Sequence, residues 1–462
     1  MGISRGKGKR SAVAPTLWST RTRVNNYGTT LALLLVTVGG IHRIAGAQPA
    51  TADSVRSREV VPGATFRRIT RPAGPWVLSV LEIDLRRREL IVRGVRACDR
   101  LLGRERPSAI ARRLREEGIN VVGVLNADFF DLRGGTGANE NNVIIDGQIV
   151  KAVRMTESPF DEFDNVHTQF GVTMAGAPVL DRFQLTGMVR TPSGEWPLDA
   201  VNAKVASGLA VLTPWFDSAA MVVDSTRFAD SIAHVMLLKV GGRADTGRYR
   251  VESTPVRGPG AASSQQMAVL VASGSALPIV ERLRVRDRVD IVAGLVPDRG
   301  VLRTLAGGWP RIVDGGRNVA LEADSVEGTI PRFSRERHPR SALGISRDSA
   351  TLYLVTVDGR QKASIGMTLE ELADAMIALG AYEAMNFDGG GSTALVIRDS
   401  VVNVPSDTSG ERAVGNVIIV ERRASGRAAS ERRAVPKASG SVSSCVPPVR
   451  RDTAAVRRPG TQ

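Results

Sequence analysis

The sequence predicts an α+β fold, with a mixed β-sheet core, a few helices and a β-rich lead-in. Three observations carry this. Short runs rich in β-branched and apolar residues recur along most of the chain, punctuated by Gly, Asp and Asn. Only two segments, near residues 109–117 and 369–379, pair helical composition with start and stop signals. A hydrophobic share of 42% against 24% charged is globular composition. The length of 462 residues allows one large domain or about two to three ordinary ones.

Residues 1–47 read as an address. Arg5, Lys7, Lys9, Arg10, Arg21 and Arg23 precede the short apolar stretch Leu31–Val38, and Ala45-Gly46-Ala47 follows. This is the order of a secretory signal peptide, with cleavage expected between Ala47 and Gln48 and a periplasmic or extracellular destination. The apolar part is too short to span a bilayer. Residues 48–118 form the lead-in. Trp76–Leu85 and Glu89–Val95 are strand-like, and a helix follows with Ser108 as N-cap, Ala109–Glu117 as body and Gly118 as stop.

Residues 119–420 form the main domain. Ile119–Leu125 is apolar enough to be buried on both faces, and it delivers Asn126-Ala127-Asp128 at its end. The stretch from about 140 to 300 is a succession of β-type runs, among them 142–147, 169–174, 234–240 and 290–295. Asp146-Gly147 gives the one strong hairpin signal there. Ala350–Val357 is a strand. Thr368 and Glu371 make a capping box, Leu369, Leu372, Ala373 and Met376 give the helix one apolar face, and Gly380 stops it. Tyr382–Phe387, Ala394–Ile397 and Val414–Val420 are the closing strands. Residues 421–462 lose all periodicity and are rich in Ala, Ser, Arg and Pro, which predicts a basic disordered tail. The chain has only two cysteines, Cys98 and Cys445. Cys445 lies in that tail, so a bond between them is not expected.

The net charge of +15 is concentrated at the ends, with +7 in residues 1–47, +7 in 421–462 and only +1 in the 48–420 core. A nucleic-acid-binding domain carries its own basic footprint. This core has none, so nucleic acid is excluded as a partner. The tail suits contact with an anionic envelope surface. No feature specifies an oligomeric state.

Candidate chemistry sits at strand ends. Asn126-Ala127-Asp128 and Asn386-Phe387-Asp388 each end a strand in a carboxylate. Gly389-Gly390-Gly391 after Asp388 could form an anion-binding nest or a tight turn, and Ser392 and Thr393 add hydroxyls. It is not a P-loop, because no Gly-Lys-[Ser/Thr] ending follows. Pro339 fixes the backbone before Arg340, where a guanidinium could grip a phosphate. Trp309-Pro310 after Gly307-Gly308 could line a sugar site or belong to the core. Beyond the leader, only His167, His234 and His338 remain, without CxxC or HExxH, so no zinc site is expected. No cofactor is required by these motifs. Calcium or magnesium held by Asp128, Asp131 or Asp388 stays open. A triad using Ser392 or Ser341 lacks the Gly-x-Ser-x-Gly elbow.

The ordered set resembles the phosphodiester glycosidase family. The matching pieces are NADFFD at 126–131, GGWPRIVDGG at 307–316 and HPRSALG at 338–344. VDGR at 357–360, GMTLEELADAMIALGA at 366–381 and NFDGGGST at 386–393 continue it, and VVNVPSD at 401–407 and ERAVGN at 411–416 close it. This chain has Ala127-Asp128 where that family commonly has Asn-Gly. The resemblance implies an exported hydrolase acting on a sugar-1-phosphodiester, such as one of N-acetylglucosamine, in envelope or extracellular glycans. It implies Asp388, Arg340 and Asp128 as catalytic groups, and Asn126, Gly389, Gly390, Gly391, Ser392, Thr393 and Arg360 as substrate contacts. Two alternatives remain at this point, a non-catalytic glycan-binding or envelope-assembly protein and a metal-dependent phosphodiesterase.

Overall fold

A computed structural model describes residues 53–156, 161–215, 231–242, 246–258, 266–423 and 445–446. Residues 1–52, with the expected signal peptide, and nearly all of 424–462, the expected disordered tail, lie outside the described residues. The fold is β-dominated with few helices, so the α+β expectation holds with most of its weight on the β side.

Two sheets and two helices form a layered body around the candidate site. The first sheet has the strand order 54–61, 64–71, 76–84, 351–357, 340–346, 381–387, 311–314 and 317–318. The second has the order 400–401, 395–397, 121–126, 416–422 and 90–96. Lead-in strands are thus woven into both sheets: 76–84 pairs with 351–357, and 90–96 pairs with 416–422.

Period-2 alternation explains the stacking. In strand 351–357, Leu352 and Leu354 face the second sheet and join one cluster with Val122, Leu125, Leu395 and Ile418. Tyr353, Val355 and Val357 face the other way, onto the helix Leu369–Leu379. The second sheet likewise buries Val124 and Val417 against the helix Pro107–Glu116. Strand 121–126 is buried along its whole length, as its apolar run requires. Truncation of fully buried Phe387 to Ala would cost about 3–5 kcal/mol.

The remaining strands form a fourteen-stranded sheet with its own apolar cluster, beginning with the hairpin 143–145 and 148–153. Asp146 (φ 46°) and Gly147 (φ 80°) make its turn, as the sequence predicts.

The capping box forms: Thr368 Oγ1 accepts the Glu371 N–H, and Glu371 accepts the Thr368 N–H. Gly380 ends that helix at φ 105°. The earlier helix differs from expectation. It starts with Pro107 at its first position and has no side-chain cap. Ser108 is instead held by Glu411, through its N–H at 2.8 Å and its hydroxyl. The cysteine expectation is also corrected. Cys98 and Cys445 form a disulfide, and Arg104 and Val446 pair beside it. The tail returns to the body at that point, which no local pattern in the tail reveals.

Candidate active site

The site lies where the two sheets end together. Strand 381–387 of the first sheet delivers Asp388, and strand 121–126 of the second delivers Asn126 and Asp128. The Asp388 N–H donates to the Ala127 carbonyl at 2.8 Å, which stitches the two acidic strand ends together. Asp128 is buried. Its carboxylate accepts the Asn141 N–H (3.1 Å) and the Asn141 amide (2.7 Å), and its own N–H donates to Asn416 Oδ1 at 3.0 Å. Gly307 packs against it, and a Cβ there would stand 2.5 Å from Asp128 Oδ1.

Loss of hydration governs the protonation of this cluster. Burial pushes Asp128 up to about 6, against the pull of Asn141, Lys151 and His167. Burial pushes half-buried Asp388 up to about 7, with Ser392 and Arg412 pulling down and the Asp128 charge adding to the rise. Glu140, also half-buried, is pushed to about 8 by desolvation and by the charges of Asp128, Asp388 and Asp161. Lys151 sits beneath Glu140, donating to the carbonyls of Asn139 and Glu140, and burial lowers it to about 8. Groups that share one field yet differ in proton affinity are what acid–base chemistry needs.

The sequence singled out neither Glu140 nor Lys151. Glu140 sits in Asn139-Glu140-Asn141-Asn142, and a lone carboxylate in an all-amide run before a strand is the one signal that could have marked it. His167 was noted only as a poor metal signal. Its ring Nε2 lies 2.7 Å from Asp161 Oδ2, and its ring stacks on Trp309 with centroids 5.4 Å apart. Among the described residues, the second oxygen of Asp161 and His167 Nδ1 are buried without a hydrogen-bond partner.

Several expected contacts turn out to be braces. Asn126 is fully buried. Its amide donates to the Asp388 carbonyl (2.6 Å), and its Oδ1 accepts Ser341 Oγ (2.7 Å) and the Ala394 N–H (3.1 Å). Arg340 is 1% exposed. Its Nε donates to the Met367 carbonyl (2.9 Å), its Nη2 to those of Phe333 (2.7 Å) and Glu336 (3.1 Å), and it lies over the Phe333 ring. Burial first, then the Arg360 charge, lowers Arg340 to about 9. Arg340 thus ties loops together through Nε and Nη2, and among the described residues its Nη1 makes no hydrogen bond.

The triple glycine is a tight turn. The Gly390 N–H donates to the Pro339 carbonyl (2.9 Å), and the Gly389 carbonyl accepts the Ser392 N–H (3.0 Å). Of the two readings the sequence leaves open, the turn forms, with the Gly390 N–H engaged in it. The glycines are needed sterically: Gly390 has φ 58°, and a Cβ on Gly389 would meet the Pro339 carbonyl at 2.6 Å. Trp309 is 2% exposed, and its indole N–H donates to the Glu327 carbonyl at 2.7 Å, so it belongs to the core and not to a sugar surface.

The cations near the turn are Arg360 and Arg412. Exposed Arg360 lies against Gly390, where a Cβ would meet its Nη2 at 3.3 Å, and its one hydrogen bond among the described residues is a 3.5 Å contact with Ser406. Arg412 is held bidentately by Asp407 (2.8 and 3.0 Å) and reaches Ser392 Oγ at 3.4 Å. Ser392 in turn bonds the Asp388 carboxyl. Thr393 is buried with its hydroxyl unpartnered. Serine and histidine are not joined: Ser341 serves Asn126, and His338 Nε2 contacts the Arg332 carbonyl. Among the described residues, no group of three or more His, Cys, Asp or Glu is arranged as metal ligands. No helix among them is long and apolar enough to cross a membrane.

Residues 247–421 match the phosphodiester glycosidase family model. A mouse N-acetylglucosamine-1-phosphodiester alpha-N-acetylglucosaminidase is 26% identical over 255 residues, covering 47% of this chain and 49% of that protein. A prophage-derived uncharacterized protein of Bacillus subtilis is 36% identical over 84 residues, 18% of this chain and 13% of that one. The chain thus spans about half or less of the curated relatives it matches. Among solved structures, a hypothetical protein from Synechocystis superposes with TM-score 0.64 at 20% identity, over 81% of this chain and 65% of that one. A Burkholderia pseudomallei protein described as exported gives TM-score 0.61 at 20% identity, over 77% of each. These two show a shared fold. Residues 247–421, where the HPRSALG and NFDGGGST motifs lie, are thus similar to the phosphodiester glycosidase family.

Proposed function

We propose that the protein is an exported hydrolase that cleaves the bond between a sugar's anomeric carbon and the oxygen of a phosphodiester. The observation that carries this reading is the stitched pair of acidic strand ends, Asp128 and Asp388, beside the exposed Arg360 guanidinium. An ordinary glycoside needs an acid to protonate its leaving alkoxide. A phosphate monoester has a second pKa of about 6 and departs with little such help. The site then needs a cation for the phosphate and a carboxylate on the sugar side.

Arg360 fits the first role and Asp388 the second, with Ser392 and Arg412 orienting its carboxyl. Water forms the new bond to the anomeric carbon. The carbon–oxygen bond to phosphate breaks with its electron pair on the phosphate oxygen, and the water proton passes to a cluster carboxylate. The leader pattern ending at Ala47 and the Cys98–Cys445 disulfide support an oxidising, exported setting.

The test is hydrolysis of an N-acetylglucosamine-1-phosphodiester, and of a panel of other sugar phosphodiesters, in water enriched in heavy oxygen. Asp388→Asn is run alongside. Label in the free sugar, absent in the variant, is the expected result. Label in the phosphate would replace this reading with P–O cleavage. Full turnover by a folded Asp388→Asn protein would remove Asp388 from the chemistry.

A further inference from the structure

A cavity of about 320 Å³ opens away from the catalytic cluster. In strand 340–346, Ser341 pairs with Phe387 at the acidic end, whereas Ile345 pairs with Leu352 beside the cavity. Four residues of strand separate them, about 13 Å along the sheet. The cavity floor is apolar and includes buried Phe170, Val172 and Leu352. Its wall carries Arg88, Arg303 and Arg423, and no Asp or Glu lines it.

These arginines come from separate parts of the chain. Arg88 sits in the turn between strands 76–84 and 90–96, Arg303 in strand 302–307, and Arg423 just after strand 416–422. Two of them make hydrogen bonds to backbone carbonyls. Arg303 Nη2 donates to the Met174 carbonyl at 2.9 Å, and the Arg423 N–H donates to the Glu89 carbonyl at 2.8 Å. Among the described residues, none of the three guanidiniums forms an ion pair, whereas about half of the other arginines do. Three like charges held around one cavity repel one another and are neutralised best by an anion. An apolar floor below them favours an anion with an apolar body.

We infer that this cavity is a second binding site, distinct from the hydrolytic one, for a phosphate ester with an apolar body. Such a ligand could come from a soluble metabolite or from a phospholipid headgroup, and both present the same chemistry. The site would hold the protein on, or tune it by, that ligand without taking part in bond cleavage.

The test uses the full chain. Binding of hexyl phosphate, inorganic phosphate and hexanol is measured by calorimetry, and cosedimentation with phosphatidylglycerol and phosphatidylcholine vesicles is measured in parallel. The proteins are the wild type, Arg88→Gln/Arg423→Gln and Arg360→Ala. Hexyl phosphate should bind one-to-one and more tightly than either fragment. The double variant should lose about tenfold or more in affinity, the worth of one or two charge-assisted hydrogen bonds. Arg360→Ala should bind normally, which separates this site from the hydrolytic one. Vesicle binding that prefers phosphatidylglycerol and vanishes in the double variant would assign the ligand to lipid. Binding confined to hexyl phosphate would assign it to a soluble ester. If neither arm changes in the double variant, or if hexanol binds as well as hexyl phosphate, the inference is wrong. Arg88 and Arg423 are exposed, so their exchange should leave the fold intact.

Discussion

Asn126→Ala distinguishes a brace from a substrate contact. In the structure, Asn126 makes three side-chain hydrogen bonds while fully buried, to the Asp388 carbonyl, Ser341 Oγ and the Ala394 N–H. Alanine leaves all three partners without a mate. An orphaned buried polar group costs about 1–3 kcal/mol. The Ser341 hydroxyl can rotate toward another acceptor, and half-buried Asp388 can recover some hydration. The expected net loss is therefore about 3–5 kcal/mol, a large share of the roughly 5–15 kcal/mol that holds a domain folded. The assay is urea unfolding followed by intrinsic fluorescence, with the slope checked for constancy so that the midpoint reports stability. Turnover measured below the transition should fall through kcat, because Asp388 loses its anchor. A stability loss under about 1 kcal/mol with a raised KM would refute the brace and restore a direct substrate role.

Three further outcomes follow from the same geometry. Arg360→Ala should raise KM for a sugar phosphodiester about tenfold with little change in unfolding, since the side chain is exposed and weakly bonded; an unchanged KM would exclude it from phosphate recognition. Asp128, Asp388 and Glu140 hold protons more tightly folded than unfolded, so their contribution to stability is complete below about pH 4 and is lost as pH rises toward about 8; Glu140→Gln should flatten that slope in a pH series of unfolding midpoints. Reducing the Cys98–Cys445 bond, which closes a loop of 347 residues, should lower stability by up to about 5 kcal/mol, and an unchanged melting temperature under reductant would show that the tail contact contributes nothing.

Much of the fold was legible because its signals are local. The capping box at Thr368 and Glu371, the Asp146-Gly147 turn and the apolar run ending at Asn126 each depend on neighbours a few residues away, and each forms as read. The same holds for the pairing of a carboxylate with a strand end at Asp128 and at Asp388. The helix at Pro107 was misplaced by one position or two, because Pro at the start outranked Ser108 as a cap and Glu411 claimed that serine from afar.

Residue types and order by themselves therefore determined the strands, the two main helices and the acidic motifs. Tertiary structure alone decided who is free to act. Arg340 reads in sequence as a presented cation, yet it is buried with its Nε and Nη2 held by the carbonyls of Phe333, Glu336 and Met367; Arg360, three residues past the strand end at Val357, stays exposed. Gly389–Gly391 reads in sequence as either an anion nest or a tight turn, and the Pro339 carbonyl takes the Gly390 N–H into a turn. Glu140, Lys151 and the Asp161–His167 pair become site residues only when distant strands bring them to Asp128. The physical reason is that burial and partner occupancy are set by contacts between separate loops and strands that no local pattern encodes, and desolvation by that packing is what moves the cluster's proton affinities.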